Sequence, residues 1–246
     1  MANARGAIIV GASSGIGEAL ARRLAADGYE IGLTARRMER LREIGADLPT
    51  KSYVAAMDVT DSAEARDRFF ELAEAMPSVD LVVISAGVAT VNPDLEWEPE
   101  RQTVAVNVGG FTALATAAMT YFERESGTAS GTDGHLVGIS SVAAHVGNGD
   151  APAYNASKAY VSRYLEGLRY REGDRDADVT ITTIEPGFVD TKLSLGGFWE
   201  CSPETAAEQI ARAIRHKRTH AYVTRRWRAI AWLVALAPEW LLRRLF

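Results

Sequence analysis

Tyr154 and Lys158 stand four residues apart in the stretch PAYNASKAYV, with only small residues between them. On a helix, residues i and i+4 lie on one face about a turn apart, so the phenol and the ammonium would be neighbours. A nearby positive charge favours the ionised phenol and lowers its pKa. The pair therefore predicts either a group that transfers protons or an ordinary solvated helix face, and the residues around it have to decide between the two.

The composition is that of an ordinary soluble globular protein, with 47% hydrophobic and 24% charged residues in a chain of 246. A net charge of −5 argues against a general nucleic-acid binder. Cys201 is the only cysteine, so no internal disulfide is possible, which suits a reducing cytoplasm. The N-terminal apolar run is too short for a signal peptide, and no segment reaches the ~18 apolar residues that a membrane-spanning helix needs. We therefore expect a cytoplasmic protein.

Short β-rich runs alternate with helical patterns along the chain. Several runs are continuously apolar, as expected for strands that helices cover on both faces. They end at Val10, Thr34, Asp58, Ser85, Ser140, Glu185 and Thr224, and helical patterns cover residues 18–27, 63–75, 101–125, 153–172 and 203–217. This alternation predicts an α/β fold, with one doubly wound domain over residues 1–224 and a mostly parallel sheet of about seven strands. Residues 126–134 and 171–178 lead into strands, so we expect solvated connectors there, away from the chemistry.

A glycine-rich loop, GASSGIG, follows the first strand and opens a helix. Glycines in such a loop let the backbone turn tightly and approach a pyrophosphate, whose charge faces the helix N-terminus. The spacing GxxxGxG differs from the usual GxGxxG, and a purely structural turn is the alternative. Its position after the first strand favours dinucleotide binding through Gly11, Ser13, Ser14, Gly15, Ile16 and Gly17.

The second strand ends in LTARRMER, where Arg36 and Arg37 replace the acid that would bind an adenosine ribose 2′-hydroxyl. A guanidinium pairs with a 2′-phosphate, which a carboxylate would repel. The alternative is two solvated arginines at the start of a helix. The sequence therefore predicts NADP(H) as cofactor.

Two further loops follow strands and so lie at the same edge of the sheet. In MDVTD, Asp58 could accept the adenine amino group beside Val59, or it could be a turn or helix-capping residue. In ISAG, Ser85, Ala86 and Gly87 are small enough to let the backbone pass the ribose, although a tight turn would use the same residues. Both loops are predicted to contact the cofactor.

The fifth strand ends in VGISSVAA, so Ser140 and Ser141 emerge at the same edge of the sheet. Ser141 precedes Tyr154 by thirteen residues. PGFVDT follows the sixth strand, and Asn107 lies inside the long middle helix. Taken in order, GASSGIG, SAG, Asn107, the Ser141/Tyr154/Lys158 set and PGFVDT resemble the short-chain dehydrogenase/reductase family over nearly the whole chain. The serine of SAG, where the family often has asparagine, is one departure.

The resemblance implies a Rossmann fold with strand order 3-2-1-4-5-6-7, and a homodimer or homotetramer. It implies that Tyr154 is the general acid that protonates a carbonyl oxygen, with a pKa shifted down from ~10 by a nearby positive charge. Lys158 would supply that charge and hold the nicotinamide ribose, and Ser141 would bind the substrate oxygen. Asn107 would kink its helix and hold a water that links Lys158 to solvent. Cofactor contacts are also implied for Pro186, Gly187, Val189 and Thr191.

The loop after PGFVDT overhangs the predicted active edge and carries Leu193, Leu195, Phe198 and Trp199 around two glycines. We expect a mobile apolar lid with Leu193, Phe198 and Trp199 at the substrate, although permanent inward packing is the alternative. His145 and Val146 follow Ser141 and could also line the substrate pocket, with His145 as an ordinary exposed residue being the alternative. These residues favour an apolar ketone or aldehyde.

Residues 225–246 form a basic, apolar tail that resembles the family least, and we expect a helical extension rather than a separate domain. Residues 215–246 contain eight Lys or Arg and one acid, Glu239. Trp227, Ile230 and Val234 follow helical spacing. Packing against the domain or a partner subunit is the first interpretation, and peripheral contact with an anionic membrane is the second.

The leading hypothesis is an NADPH-dependent carbonyl reductase, or an alcohol dehydrogenase in the reverse direction, with a small-molecule substrate and no metal ion. An epimerase or dehydratase on the same fold is a second possibility, because the Ser–Tyr–Lys set permits it. The non-enzymatic alternative is an NADP-binding regulatory protein. Such proteins commonly lose catalytic residues, and none is missing here.

Overall fold

The computed structural model describes residues 5–125, 134–173, 179–191 and 199–238, and in them one seven-stranded sheet carries the fold. All strands run parallel, in the order β3-β2-β1-β4-β5-β6-β7. The strands are β1 (Gly6–Val10), β2 (Glu30–Ala35), β3 (Ser52–Ala56), β4 (Leu81–Ile84), β5 (His135–Ile139), β6 (Thr180–Pro186) and β7 (His220–Val223). The predicted doubly wound α/β fold and its strand order are confirmed.

Eight α-helices accompany the strands in the described residues. They are α1 (Gly15–Ala26), α2 (Met38–Ala46), α3 (Ser62–Ala75), α4 (Trp97–Val104), α5 (Phe111–Glu125), α6 (Pro152–Gly173), α7 (Pro203–Arg215) and α8 (Trp227–Leu236). A π-helical segment, Ala105–Gly110, joins α4 to α5, and a 3₁₀ turn, Val142–His145, follows β5. Helix α2 was foreseen only as the start of a helix after Arg37, without bounds, and its short span buries only Leu41, Ile44 and Gly45.

Alternation along the strands divides the core into two layers, one on each face of the sheet. In β1, Ala7 and Ile9 face a cluster with α1, α2 and α7, whereas Ile8 and Val10 face a cluster with α3, α5 and α6. The long helical stretch Trp97–Glu125 could span a membrane by length and composition alone, but its apolar residues from Val106 to Phe122 pack largely in this second cluster. Every strand residue from Gly6 to Val10 is buried, which explains the uninterrupted apolar run in the sequence.

The topology concentrates candidate ligand contacts at one edge. Val10 is level with Thr34 of β2 and with Ile84 of β4, so the loops after these three strands start side by side. The connections leave β1 and β4 in opposite directions, and this divergence opens a crevice at the carboxyl ends of the strands.

The prediction of a solvated connector at residues 171–178 is wrong for residues 171–173, because they form the end of α6. Arg171 donates to the Glu123 carboxylate at 2.6 Å and to Glu172 at 2.7 Å, and Glu172 is buried. These ion pairs and this burial hold the last turn of α6 against the end of α5. The rest of that connector and most of the other, residues 126–133, lie outside the described residues.

Candidate active site

A cavity of about 1030 Å³ lies at the carboxyl edge of the sheet, at the upper end of the ~300–1,000 Å³ range typical of ligand pockets. Loops after six strands contribute to it, and so does α8. The predicted residues among its lining are Gly11, Ser13, Ser14, Gly15, Ile16, Arg36, Arg37, Asp58, Val59, Ser85, Ala86, Gly87, Ser141, Val146, Tyr154, Lys158, Pro186, Gly187, Val189, Thr191 and Trp199. The structure thus brings together residues that lie up to 188 positions apart in the sequence.

The glycine loop has the shape that close approach of a phosphate requires. Gly11 has a φ of +88°, and a side chain there would meet the backbone of Ala86 in the neighbouring loop at 2.6 Å. Helix α1 begins at Gly15, so its first N–H groups face the cavity beside Ser13 and Ser14. Gly17 does not line the cavity, because it packs against the Gly11 carbonyl.

Arg36 and Arg37, which follow β2, are exposed and line the cavity, but they make different contacts. Arg37 donates to the Ser13 carbonyl at 3.1 Å and to its hydroxyl at 3.0 Å, so it braces the glycine loop. Arg36 lies near Asp58, whose Oδ1 accepts from both the N–H and the hydroxyl of Thr60. These two hydrogen bonds and the charge of Arg36 lower the pKa of Asp58. Asp58 is therefore a turn-forming residue that also lines the cavity.

Tyr154 and Lys158 lie on one face of α6, with the Lys158 Nζ 5.8 Å from the centre of the Tyr154 ring. Lys158 is buried, and its ammonium donates to the Ile139 carbonyl at 3.1 Å. Burial lowers the pKa of Lys158 to about 8. The interpretation of this pair as a solvated helix face is therefore wrong.

The Tyr154 phenol is not shifted in the direction predicted from its lysine neighbour. Burial raises the pKa of Tyr154, and hydrogen bonding with Ser141 opposes this without cancelling it. Loss of hydration disfavours the phenolate more than the available donors stabilise it. In the protein alone, Tyr154 is therefore a protonated phenol, which is the form that can donate a proton.

Asn107 lies in the π-helical segment between α4 and α5, where the family resemblance implied a kink in the middle helix. Its Oδ1 accepts from the Val88 N–H, and its Nδ2 donates to the Val88 carbonyl and to the Ser157 hydroxyl, each at 2.9 Å. Ser157 in turn donates to the Tyr154 carbonyl at 2.7 Å. Asn107 thus ties the loop after β4 to the first turn of α6.

The protein family that the sequence matches agrees with the geometry of this site. The model of the short chain dehydrogenase family matches residues 5–196. The chain belongs to the short-chain dehydrogenase family. An uncharacterized oxidoreductase of Staphylococcus epidermidis is 30% identical over 215 residues, which are 87% of this chain and 90% of that one.

Solved structures of similar fold bind both kinds of nicotinamide cofactor. A short-chain dehydrogenase/reductase from Burkholderia phymatum in complex with NAD has a TM-score of 0.82 at 19% identity, covering 93% of this chain and 92% of that one. A short-chain dehydrogenase from Sphingobium yanoikuyae in complex with NADPH has a TM-score of 0.78 at 21% identity, covering 96% and 97%. Because the chain belongs to the short-chain dehydrogenase family and its relative at 30% identity is an oxidoreductase, the chain is an oxidoreductase of the short-chain dehydrogenase type. In this chain, the glycine loop and the N-terminus of α1 have the geometry that fits the pyrophosphate of a dinucleotide.

Only some of the substrate residues predicted for this dehydrogenase line the cavity. Val146 and Trp199 line it, whereas Leu193, Leu195 and Phe198 lie outside the described residues. His145 does not line it, because its Nε2 donates to the buried Glu185 carboxylate at 2.7 Å. The cavity lining therefore does not support the substrate contact predicted for His145, whose imidazole is engaged by Glu185 instead.

Helix α8 forms a cavity wall that the sequence did not assign to the dehydrogenase site. Trp227, Ile230 and Ala231 line the cavity, and the Trp227 ring meets the Phe188 ring edge to face at 5.5 Å. The first interpretation of the tail, packing against its own domain, holds for this face of α8. The helical spacing of Trp227 and Ile230 was visible in the sequence, but the surface they cover was not.

A buried carboxylate behind the catalytic helix was also missed. Glu185 Oε1 accepts from Ser162 at 2.8 Å, and Ser162 lies 2.8 Å from Ser140, whose hydroxyl donates to the Lys158 carbonyl. Burial raises the pKa of Glu185, but hydrogen bonds from His145, His220 and Ser162 outweigh it and lower the pKa to about 2. Glu185 therefore links β6 to α6 and, through His145, to the turn after Ser141.

Proposed function

We propose that this protein is an NADP(H)-dependent oxidoreductase that interconverts an apolar carbonyl compound and its alcohol. The observation that carries the proposal is the meeting of Ser141, Tyr154 and Lys158 in one cavity that also reaches Arg36 and Arg37. The first three are the groups that proton transfer to a carbonyl oxygen requires. The two arginines suit the phosphate that distinguishes NADP(H) from NAD(H).

The cofactor preference rests on the charge at the end of β2. No acid stands between Ala35 and Met38, and Arg36 is exposed at the cavity wall. A guanidinium hydrogen-bonded to a phosphate contributes about 1.5–3 kcal/mol. Arg37 is already engaged with Ser13, so Arg36 is the better candidate for the 2′-phosphate.

The catalytic residues divide the proton chemistry among them. The bound nicotinamide cofactor supplies or accepts the hydride. In reduction, the Ser141 hydroxyl orients the carbonyl oxygen and the protonated Tyr154 phenol donates its proton to that oxygen. The Lys158 ammonium holds positive charge near the phenol and stabilises the phenolate left behind. Asn107 keeps the first turn of α6, and so Tyr154, in position.

An apolar substrate suits the walls that are described. Val142, Val146, Trp227 and Ile230 line the cavity on the side of Ser141 and α8. Burying such surface contributes about 25 cal/mol per Å² to binding. A small polar substrate would leave these side chains against water.

The test is a panel of aldehydes, ketones and alcohols with NADPH and NADH, followed by the loss or gain of reduced-cofactor absorbance. We expect turnover with apolar carbonyl compounds and at least about tenfold tighter binding of NADPH than NADH. Product formation without net change in NADPH would favour the epimerase or dehydratase alternative. Cofactor binding without turnover on any substrate would favour the regulatory protein. The cytoplasmic location and the homodimer or homotetramer stay predictions.

A further inference from the structure

We propose that the outer face of α8 and the arginine groove beside it dock the protein on an anionic lipid bilayer. The arginine groove is a second cavity, of about 1190 Å³, at the β7 edge of the sheet. The proposal combines two independent features of the surface, one apolar and one basic, that meet at the start of α8.

The apolar feature is the side of α8 that faces away from the catalytic cavity. Leu233 is 69% exposed and Leu236 is 80% exposed, although Trp227 and Ala231 of the same helix are buried. Ala229, Leu233 and Leu236 are spaced by four and three residues, so they lie on one stripe of the helix. Phe188 and Trp199, both partly exposed, lie at the base of the helix.

The basic feature is the groove itself, to which five arginines contribute. They are Arg212, Arg218, Arg225, Arg226 and Arg228. Among the described residues, none of the five forms an ion pair with a carboxylate, and Arg226 instead donates to the Trp199 carbonyl at 2.7 Å. Elsewhere the surface arginines are mostly paired, as Arg42 is with Glu39 and Arg68 with Glu71. The groove is thus a concentration of uncompensated positive charge in a chain of net charge −5.

The exposed leucines and the arginine groove together indicate which kind of partner binds this surface. Uncompensated guanidinium groups attract phosphate headgroups, and exposed leucines beside them enter the acyl boundary of a bilayer. A second copy of the chain fits poorly, because a two-fold contact would set the arginine groove against itself. A nucleic acid would neutralise the arginines but would leave Leu233 and Leu236 in water.

Docking in this orientation has a consequence for the cavity, and this part rests on the proposed function. The inner face of α8 is the wall of the catalytic cavity, formed by Trp227, Ile230 and Ala231. A bilayer on the outer face would lie one helix diameter, about 10 Å, from that wall. An apolar carbonyl compound dissolved in the lipid would then be concentrated close to the cavity.

The test is flotation of the full chain with vesicles of phosphatidylcholine, alone or mixed with phosphatidylglycerol, at low and high salt. We expect binding to the mixed vesicles at low salt only. The double variant Arg225→Gln/Arg228→Gln should bind about 25-fold more weakly, since each basic residue near an anionic surface contributes about fivefold. The variant Leu233→Ser/Leu236→Ser should lose at least about tenfold.

Matched controls place the same changes elsewhere on the surface. Arg42→Gln/Arg68→Gln removes two charges from α2 and α3, and Leu95→Ser/Val104→Ser removes two exposed apolar side chains near α4. Both controls should float like the wild type. If a variant unfolds, the wild-type protein still provides the test, because its tryptophan emission should shift to the blue on adding anionic vesicles and return on adding salt.

Three results would overturn the proposal. Equal binding to neutral and anionic vesicles would mean that the arginine groove is not used. Loss of binding in the arginine variant but not in the leucine variant would identify a general polyanion site. A wild-type oligomer that the leucine variant dissociates, with no vesicle binding, would mean that a second copy covers α8. Flotation needs no turnover, so its failure is distinct from failure of the proposed catalytic function.

Discussion

Gly187 and Trp227 lie against each other so closely that no side chain fits at position 187. A Cβ atom there would overlap the indole ring of Trp227. Gly187 belongs to the PGFVDT loop after β6, and Trp227 begins α8, which lies beyond the residues matched by the family model. This contact joins a loop inside the residues matched by the family model to a cavity wall outside them.

Gly187→Ala should displace α8 and destabilise the protein by about 1–3 kcal/mol, the usual cost of overpacking. Thermal unfolding measures the effect, and kinetics on the best substrate should show a changed KM because the cavity wall moves. Gly167→Ala is the matched control on α6, where an added methyl group meets nothing within 4 Å. It should stabilise the helix by up to about 1 kcal/mol. Equal melting temperatures for the two variants would contradict the contact.

Tyr154→Phe should abolish most turnover, by about 10²–10⁴-fold, because it removes the transferable proton and keeps the ring. Affinity for the cofactor, measured by fluorescence titration, should stay nearly unchanged. Tyr170→Phe is the matched control, since Tyr170 lies on the same helix but is 68% exposed and donates to Glu166. If Tyr154→Phe kept more than a tenth of the wild-type rate, its assignment as the proton donor would be wrong.

Arg36→Asp should shift the preference between NADPH and NADH by at least about tenfold, because it places a negative charge where the 2′-phosphate is proposed to bind. Arg42→Asp, which changes an exposed arginine on α2, should leave the ratio unchanged. Arg37→Gln should weaken both cofactors alike, because Arg37 braces the glycine loop through Ser13. An unchanged ratio in Arg36→Asp, measured by titration of both cofactors, would remove Arg36 from the phosphate site.

The stability of the fold should fall as the pH rises above 6.5, through the pairing of His145 with Glu185. Hydrogen bonding to Glu185 raises the pKa of His145, against the opposing effects of burial and of Arg163. A group whose pKa is raised by folding stabilises the protein fully below its unfolded pKa, and this contribution is lost as the pH rises through the folded pKa. His145→Asn should therefore flatten the loss of stability in this range.

Measurement of melting temperature against pH checks this prediction. His216→Asn, at an exposed histidine after α7, is the control and should keep the wild-type slope. His220 contacts the same Glu185 oxygen at 3.2 Å, so Glu185 keeps a hydrogen-bond partner in His145→Asn. Because the pKa of Glu185 lies near 2, its own protonation does not affect this range. A slope identical to wild type in His145→Asn would show that the pair does not contribute.

The sequence by itself determined the sheet and most of the catalytic edge. Six of the seven strand ends were predicted within one residue, and only β3 ends two residues early, at Ala56 rather than Asp58. The reason is that continuous apolar runs mark buried parallel strands, and parallel strands place all their following loops at one edge. Gly11, Ser141 and Tyr154 could therefore be expected to converge without any knowledge of side-chain positions.

Only the tertiary structure decided what surrounds those residues. His145 was expected at the substrate, but it is hydrogen-bonded to Glu185, forty residues later in the sequence. A buried carboxylate needs hydrogen-bond donors, and His145, His220 and Ser162 supply them to Glu185. Trp227 and Ile230 had a visible helical period, but a period indicates which residues share a face and not what that face covers. Pairing of β7 with β6 brings the following α8 over the cavity. The apolar wall of the active site is thus a result of long-range packing, which local sequence patterns do not encode.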